Sequence, residues 1–157
     1  CAIYGHSDAA YAMHEDAKSH SGISFALGPS GGPVLCKSSK QKLVTGSSTE
    51  AELVALSESS DIATWMSAIL AAQGIKPGQA TIFQDNKSTI TLAERGSPAS
   101  NRSKAISVRF FKIKEKIDEG SIKLSYLPTE DMTADILTKP LQGTLFVKLR
   151  RQIMNLK

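Results

Sequence analysis

From Ser48 to about Gln73 the chain is one long helix-forming stretch. Its apolar residues, among them Leu53, Val54, Leu56, Ile62, Trp65, Met66, Ile69 and Leu70, point almost all round the helical wheel. A helix of that kind is buried on more than one side, so strands and further helices have to enclose it. Gly74, with Pro77 beyond it, closes the stretch. Its beginning, Thr45-Gly46-Ser47-Ser48-Thr49-Glu50-Ala51-Glu52-Leu53, follows a strand-like run and carries two glutamates. Ser47-x-x-Glu50 and Thr49-x-x-Glu52 both fit a capping box, in which the glutamate satisfies a backbone donor at the helix start. The other reading turns Glu50 inward, towards Asp8 upstream and Asp85 downstream, each in a strand context. Successive residues turn by about 100°, so Glu50 and Glu52 lie about 200° apart and cannot both face one pocket. Helix phase tips the choice only slightly towards Glu50.

A chain of 157 residues, 41% hydrophobic and 22% charged, suits one soluble domain with a real core. No run of about 18 apolar residues is present, which excludes a membrane-spanning helix. The chain starts at Cys1, carries no signal-peptide pattern and reads as a piece of something longer. Cys1 and Cys36 are too few for a disulfide scaffold, which points to a reduced intracellular setting. His6, His14 and His20 lack zinc spacing and are expected to be solvated loop residues. The net charge of +4 is unevenly spread. Arg95, Arg102, Lys104, Arg109, Lys112, Lys114 and Lys116 face Glu115 alone, Lys37, Lys40 and Lys42 form a second cluster, and the segment from Lys139 onward has no acid. Such clustering suits a polyanionic partner, or simply solvated helix faces.

Taken in order, Ala2 to Asp8, Gly22 to Leu27 and Val34 to Lys37 read as three short strands joined by turns, an antiparallel meander. After the long helix come a strand at Ala80 to Asp85, a helix at Lys87 to Glu94 capped by Asp85 or Asn86, and a basic amphipathic helix at Lys104 to Glu119. Ser121 to Leu127 is a fifth strand. Thr129 caps a helix that contains Asp135, Pro140 ends it, and a last apolar and basic helix runs from Phe146 to Leu156. The order β-β-β-α-β-α-α-β-α predicts an α/β fold with an antiparallel start and parallel crossovers. Asp8, Glu50, Asp85 and Asp135 stand isolated at element ends or on helices. Together with the basic clusters they suggest a carboxylate cage for divalent metal.

The motifs His6-Ser7-Asp8-Ala9, Lys18-Ser19-His20-Ser21-Gly22, Ser47-Ser48-Thr49-Glu50-Ala51-Glu52 and Gln84-Asp85-Asn86-Lys87-Ser88 recur in one known family. So do Tyr126-Leu127-Pro128-Thr129-Glu130-Asp131 and Ala134-Asp135-Ile136-Leu137-Thr138-Lys139-Pro140-Leu141. In this order and spacing the chain resembles the ribonuclease H domain of the Pol polyprotein of Ty1/copia-type retrotransposons. The resemblance implies a ribonuclease H-like α/β fold, a mixed five-stranded sheet flanked by helices. It places a catalytic domain at 1–141 and a basic amphipathic helix at 142–157 packed on it. It implies an endonuclease that cuts the RNA strand of RNA/DNA hybrids during reverse transcription and leaves 5′-phosphate ends. The family's Asp-Glu-Asp-Asp set carries over to Asp8, Glu50, Asp85 and Asp135 as catalytic residues and ligands of two Mg²⁺ ions, with Mn²⁺ as a substitute. Asp131, one turn from Asp135, can stand in for it.

By the same resemblance Ser47, Ser48, Thr49 and Asn86 face the hybrid, where the 2′-hydroxyl distinguishes RNA. Arg102, Lys104, Arg109 and Lys112 hold phosphates. The implied partner within the polyprotein is the upstream reverse transcriptase polymerase domain, with no membrane. The implied setting is cytoplasmic, in a virus-like particle if the element is active. Three departures stand out: Ala9-Ala10-Tyr11 replaces a second acid and an aromatic, the basic helix lacks the family's histidines, and no histidine lies between Pro128 and Asp135. The alternative is a weakly active or inactive module that binds or tethers hybrid.

Overall fold

A computed structural model of the chain describes residues 1–96 and 104–156. Strands β1 (Ile3–Ala10), β2 (His20–Leu27) and β3 (Pro33–Lys40) form the expected antiparallel meander, with Ile3 opposite Leu27 and Ala10 opposite His20. Helix α1 (Ser48–Ala72) then crosses the sheet and delivers β4 (Ala80–Gln84) parallel to β1 on its other side. After α2 (Lys87–Arg95) and α3 (Lys104–Asp118), β5 (Ile122–Tyr126) pairs parallel with β4. The sheet order is β3-β2-β1-β4-β5, a mixed five-stranded sheet. Helix α4 (Gly143–Ile153) closes the described chain.

Because side chains alternate along a strand, β1 divides its residues between two faces. Ile3 joins Ile23, Phe25 and Ile82 in the main core, against Leu53, Leu56 and Met66 of α1 and Phe110 and Ile113 of α3. Gly5 keeps that layer closed, because a Cβ there would lie 2.4 Å from the Phe25 ring. On the opposite face Tyr4 and His6 flank Phe83, with His6 stacked on it at 5.1 Å between ring centroids. Burial pushes the His6 pKa down to about 4, so the imidazole is neutral at physiological pH and packs as an aromatic ring. The expectation of a solvated loop histidine therefore fails for His6. His14 and His20 also have partners, each other at 3.1 Å, and His20 reaches Ser38 Oγ at 2.8 Å.

Three boundaries differ instructively. Helix α1 is enclosed all round only in its first half, where every residue from Ala51 to Ser57 is buried, whereas Trp65 is 57% exposed. The strand β1 continues past Asp8 to Ala10, because β2 offers it paired partners as far as His20. The helix expected to contain Asp135 is instead two short 3-10 turns, Thr129–Asp131 and Thr133–Leu137. Thr129 does not cap them; its hydroxyl is used elsewhere. These turns lie across β2 on the face opposite α1, where Ser24 Oγ meets Thr133 Oγ1 at 3.1 Å. Leu149 of α4 is fully buried, and Lys148 of the same helix pairs with Asp131 at 2.7 Å. Among the described residues no helix is long and apolar enough to cross a membrane, and Cys1 and Cys36 are free thiols.

Candidate active site

Three elements bring carboxylates to one end of the sheet. Asp8 sits on β1, Asp85 follows β4 directly, and Glu52 projects from the first turns of α1. One oxygen from each lies within 4.8 Å of the other two, an Asp-Glu-Asp group able to hold a divalent cation. The glutamate of this group is Glu52 and not Glu50. Ser47 caps α1 by accepting from the Glu50 N–H at 3.3 Å, and the Glu50 carboxylate turns back to accept from the Gly46 N–H at 2.7 Å. Glu50 is thus tied back to the backbone ahead of the helix, a variant of the capping box that reaches Gly46 in place of Ser47, and the half-turn between the two glutamates sends Glu52 to the sheet.

The group is electrostatically loaded. Burial, then repulsion from Asp8 and Asp85, raises the Glu52 pKa well above the usual carboxylate range, while hydrogen bonds from Gln84 and Ala9 oppose the rise. Burial lifts Asp8 to about 6; the Thr138 hydroxyl and Lys139 work against this, and Asp135 and Asp85 work with it. Like charges held out of water in this way are relieved by a bound cation, which is the physical fit of these residues to a metal.

Asp135 is buried beside Asp8, and its carboxylate is paired with Lys139 at 2.5 Å. Burial disfavours the Lys139 charge, yet Asp135, Asp8 and Asp85 outweigh it and raise its pKa. Asp135 thus borders the group of three and shares its field. Asp131 points away, to Lys148.

Gln84 is a residue to which sequence reasoning gives no role. Fully buried, it donates to Glu52 Oε2 at 3.1 Å and accepts from the Asp85 and Asn86 N–H groups at 2.8 and 3.1 Å. It therefore fixes a carboxylate on α1 relative to the turn that carries Asp85. Its place in Gln84-Asp85-Asn86 was the available signal.

The expected nucleic-acid residues are spread more widely. Ser48 is exposed and Thr49 half-buried at the start of α1, beside the Ser47 cap. Asn86 caps α2, with Oδ1 accepting from the Thr89 N–H at 3.1 Å. Lys104 is exposed at the start of α3. Arg109 donates to Ala105 O of its own helix at 2.8 Å, and Lys112 is paired with Asp61 at 2.8 Å, as is Lys116 at 2.6 Å. Arg102 lies outside the described residues. Acids elsewhere in the chain thus partly neutralise the basic stretches: Glu58 pairs with Lys37, and Asp16 with Lys18 and Lys40.

Comparison with known proteins agrees with this fold. No family model matches the chain. The Retrovirus-related Pol polyprotein from transposon TNT 1-94 of Nicotiana tabacum is 32% identical over 148 residues, 88% of this chain and 11% of that polyprotein. The Transposon Ty1-JR1 Gag-Pol polyprotein of Saccharomyces cerevisiae is 29% identical over 135 residues, 86% of this chain and 8% of that polyprotein. The chain thus spans about a tenth of the length of the curated relatives it matches. Among solved structures, LC11-RNase H1 isolated from compost superposes with a TM-score of 0.61 at 15% identity, over 87% of this chain and 90% of that one. The Prototype Foamy Virus Protease-Reverse Transcriptase gives a TM-score of 0.57 at 12% identity, over 98% of this chain and 20% of that one.

The sheet order is that of a ribonuclease H-like fold, and the carboxylate group lies at one end of that sheet. By sequence the chain is related to the Pol polyproteins of Ty1/copia-type retrotransposons.

Proposed function

We propose that this domain hydrolyses the RNA strand of RNA/DNA hybrids as the ribonuclease H of a retrotransposon Pol polyprotein. The observation that carries the reading is the convergence of Asp8, Glu52 and Asp85 from three elements, with mutually reachable oxygens, in a ribonuclease H-like sheet. A solved complex of LC11-RNase H1 with RNA/DNA hybrid has the same fold, with a TM-score of 0.59 at 14% identity over 87% of this chain and 91% of that one.

Asp8, Glu52 and Asp85 would hold divalent metal, Mg²⁺ with Mn²⁺ as substitute, and Asp135 would complete a site for two ions. Such ions supply an activated water for in-line attack and charge stabilisation at the leaving 3′-oxygen, which leaves a 5′-phosphate. The chain's own part is to hold the carboxylates in register. Gln84 locks Glu52 to the Asp85 turn, and burial of Asp8 and Glu52 disfavours their charge, a strain that a bound cation relieves. Ser48 and Thr49, just before Glu52 on α1, and Asn86, next to Asp85, would offer polar groups to the hybrid, with Lys87 and Lys104 exposed at the heads of α2 and α3.

In this reading residues 1–141 form the catalytic unit and 142–157 a basic helix seated on it, which the buried Leu149 supports. The polymerase domain of the same polyprotein is the natural neighbour, and reverse transcription in the cytoplasm or a particle is the setting. Labelled hybrid incubated with Mg²⁺, beside Asp85→Asn, tests the reading. Cleavage by the parent alone is expected. Binding of hybrid without cleavage above the variant would leave a tethering module instead.

A further inference from the structure

Residues 127–140 form a strap that runs from the end of β5, through the two 3-10 turns, to the segment before α4. Its middle is pinned to the sheet. Met132 and Ala134 are fully buried, Ser24 Oγ holds Thr133 Oγ1, and Ser38 Oγ donates to Leu137 O at 2.7 Å. Gly22 lies directly beneath: a Cβ there would stand 2.5 Å from Ala134 O and 2.6 Å from Thr138 Cγ2. The absence of a side chain at Gly22 therefore sets how closely the strap approaches β2. This gives a role to the Lys18-Ser19-His20-Ser21-Gly22 motif, which carries no chemistry of its own.

From near the two ends of this pinned strap, two threonine hydroxyls reach two different carboxylates of the metal group. Thr129 Oγ1 donates to Asp85 Oδ2 at 2.7 Å, and Thr138 Oγ1 donates to Asp8 Oδ2 at 2.6 Å. Thr138 Oγ1 also lies 3.0 Å from Asp135 O. A hydroxyl has one proton, and the nearer, charged acceptor is the stronger one. We propose that Thr129 and Thr138 are positioning residues, a pair of clamps that fix the rotation of the Asp85 and Asp8 carboxylates so that their oxygens face Glu52. The proposal rests on the metal-dependent reading above. A carboxylate turns about its terminal bond with little preference, so holding one oxygen fixes the plane of both. Metal sites owe much of their affinity to partners of this kind, which orient the ligands. The two clamps differ in weight, because Thr138 is buried whereas Thr129 is exposed and competes with water.

The test uses the full chain and four variants: Thr138→Val, Thr138→Ser, Thr129→Val and Thr129→Ser. Valine keeps the shape and removes the hydroxyl; serine keeps the hydroxyl. Free Mn²⁺ is counted by electron paramagnetic resonance during titration, in the absence of hybrid, and cleavage is then measured against Mg²⁺ concentration. Thr138→Val should weaken Mn²⁺ binding by about 10–100-fold, the usual effect of removing a ligand-orienting partner. Thr129→Val should weaken it by a smaller factor, and both serine variants should restore it, with KM for hybrid unchanged throughout. Valine variants that bind Mn²⁺ like the parent, or serine variants as weak as valine, would overturn the clamps. Should Thr138→Val fail to fold, the exposed Thr129 pair decides by the same criteria. A parent chain that binds no Mn²⁺ would remove the metal reading itself, a distinct result that takes the clamps with it.

Discussion

Replacing Asp8 by asparagine should make the metal-free protein more stable. In the fold the Asp8 pKa stands at about 6 against an ordinary 3.8, because burial and the neighbouring acids disfavour its charge. A group whose folded pKa is raised contributes its full stability below the unfolded pKa and loses it as the pH climbs through the folded one. For Asp8 that window runs from about pH 4 to about pH 6. At pH 7 the ionised form weakens the fold by about 3 kcal/mol relative to a neutral group, from roughly two pKa units at about 1.4 kcal/mol each. Asparagine is neutral, nearly the same shape, and still accepts from Thr138. Urea unfolding in EDTA at pH 4, 5, 6 and 7 should show the variant ahead by about 1–3 kcal/mol at pH 7, since Glu52 and Asp135 keep part of the strain. The gap should close towards pH 4. Comparing parent and variant cancels other titrating groups, including Asp61, where burial opposes but Lys112 and Lys116 prevail to lower the pKa. Added Mg²⁺ should stabilise the parent and not the variant. A variant no more stable than the parent at pH 7, or a gap that ignores pH, would refute the account of a site strained for its cation.

The two glutamates of α1 should separate cleanly. Glu52→Gln should lower cleavage by more than about 100-fold. Glu50→Ala should cost about 0.5–1 kcal/mol in unfolding measurements, as lost caps do, with cleavage retained. Gly22→Ala should cost about 1–3 kcal/mol, read by urea unfolding, and weaken cleavage as well, because the strap has to lift from β2. Lys139→Met removes a cation already paired with Asp135, so a Mn²⁺ titration of the free protein should show tighter binding; unchanged affinity would mean that Lys139 plays no part in the field of the site.

The strands, the helices and the meander were legible because each rests on local periodicity and turn residues, as with Gly28-Pro29 after β2 or Gly74 after α1. Asp8 and Asp85 were legible for the same reason, as lone acids at strand ends. Glu52 was not. The choice between two glutamates rested on helix phase, and phase says little where every residue from Ala51 to Ser57 is buried. The capping box that competes for Glu50 was the better guide. The helix expected around Asp135 failed on tertiary grounds. Thr129 and Thr138 spend their hydroxyls on Asp85 and Asp8, and the intervening chain is pinned to β2, which leaves room only for 3-10 turns. Such partners lie far away in sequence and leave no local trace.

The lining of α1 has a consequence for how this chain tolerates change. Beside the large core residues, the buried residues of the helix include Ala51, Ala55, Ser59, Ser60 and Ala63, all small. A wider side chain at any of them would push the rod outward, and Glu52 would travel with it. Ser60 lies about 12 Å along the axis from Glu52, at 1.5 Å per residue. A saturation screen scored by cleavage should therefore find loss-of-function positions spaced along this helix from Ala51 to Ala63. Most of them would be residues with no chemistry of their own, acting as spacers for an acid several turns away.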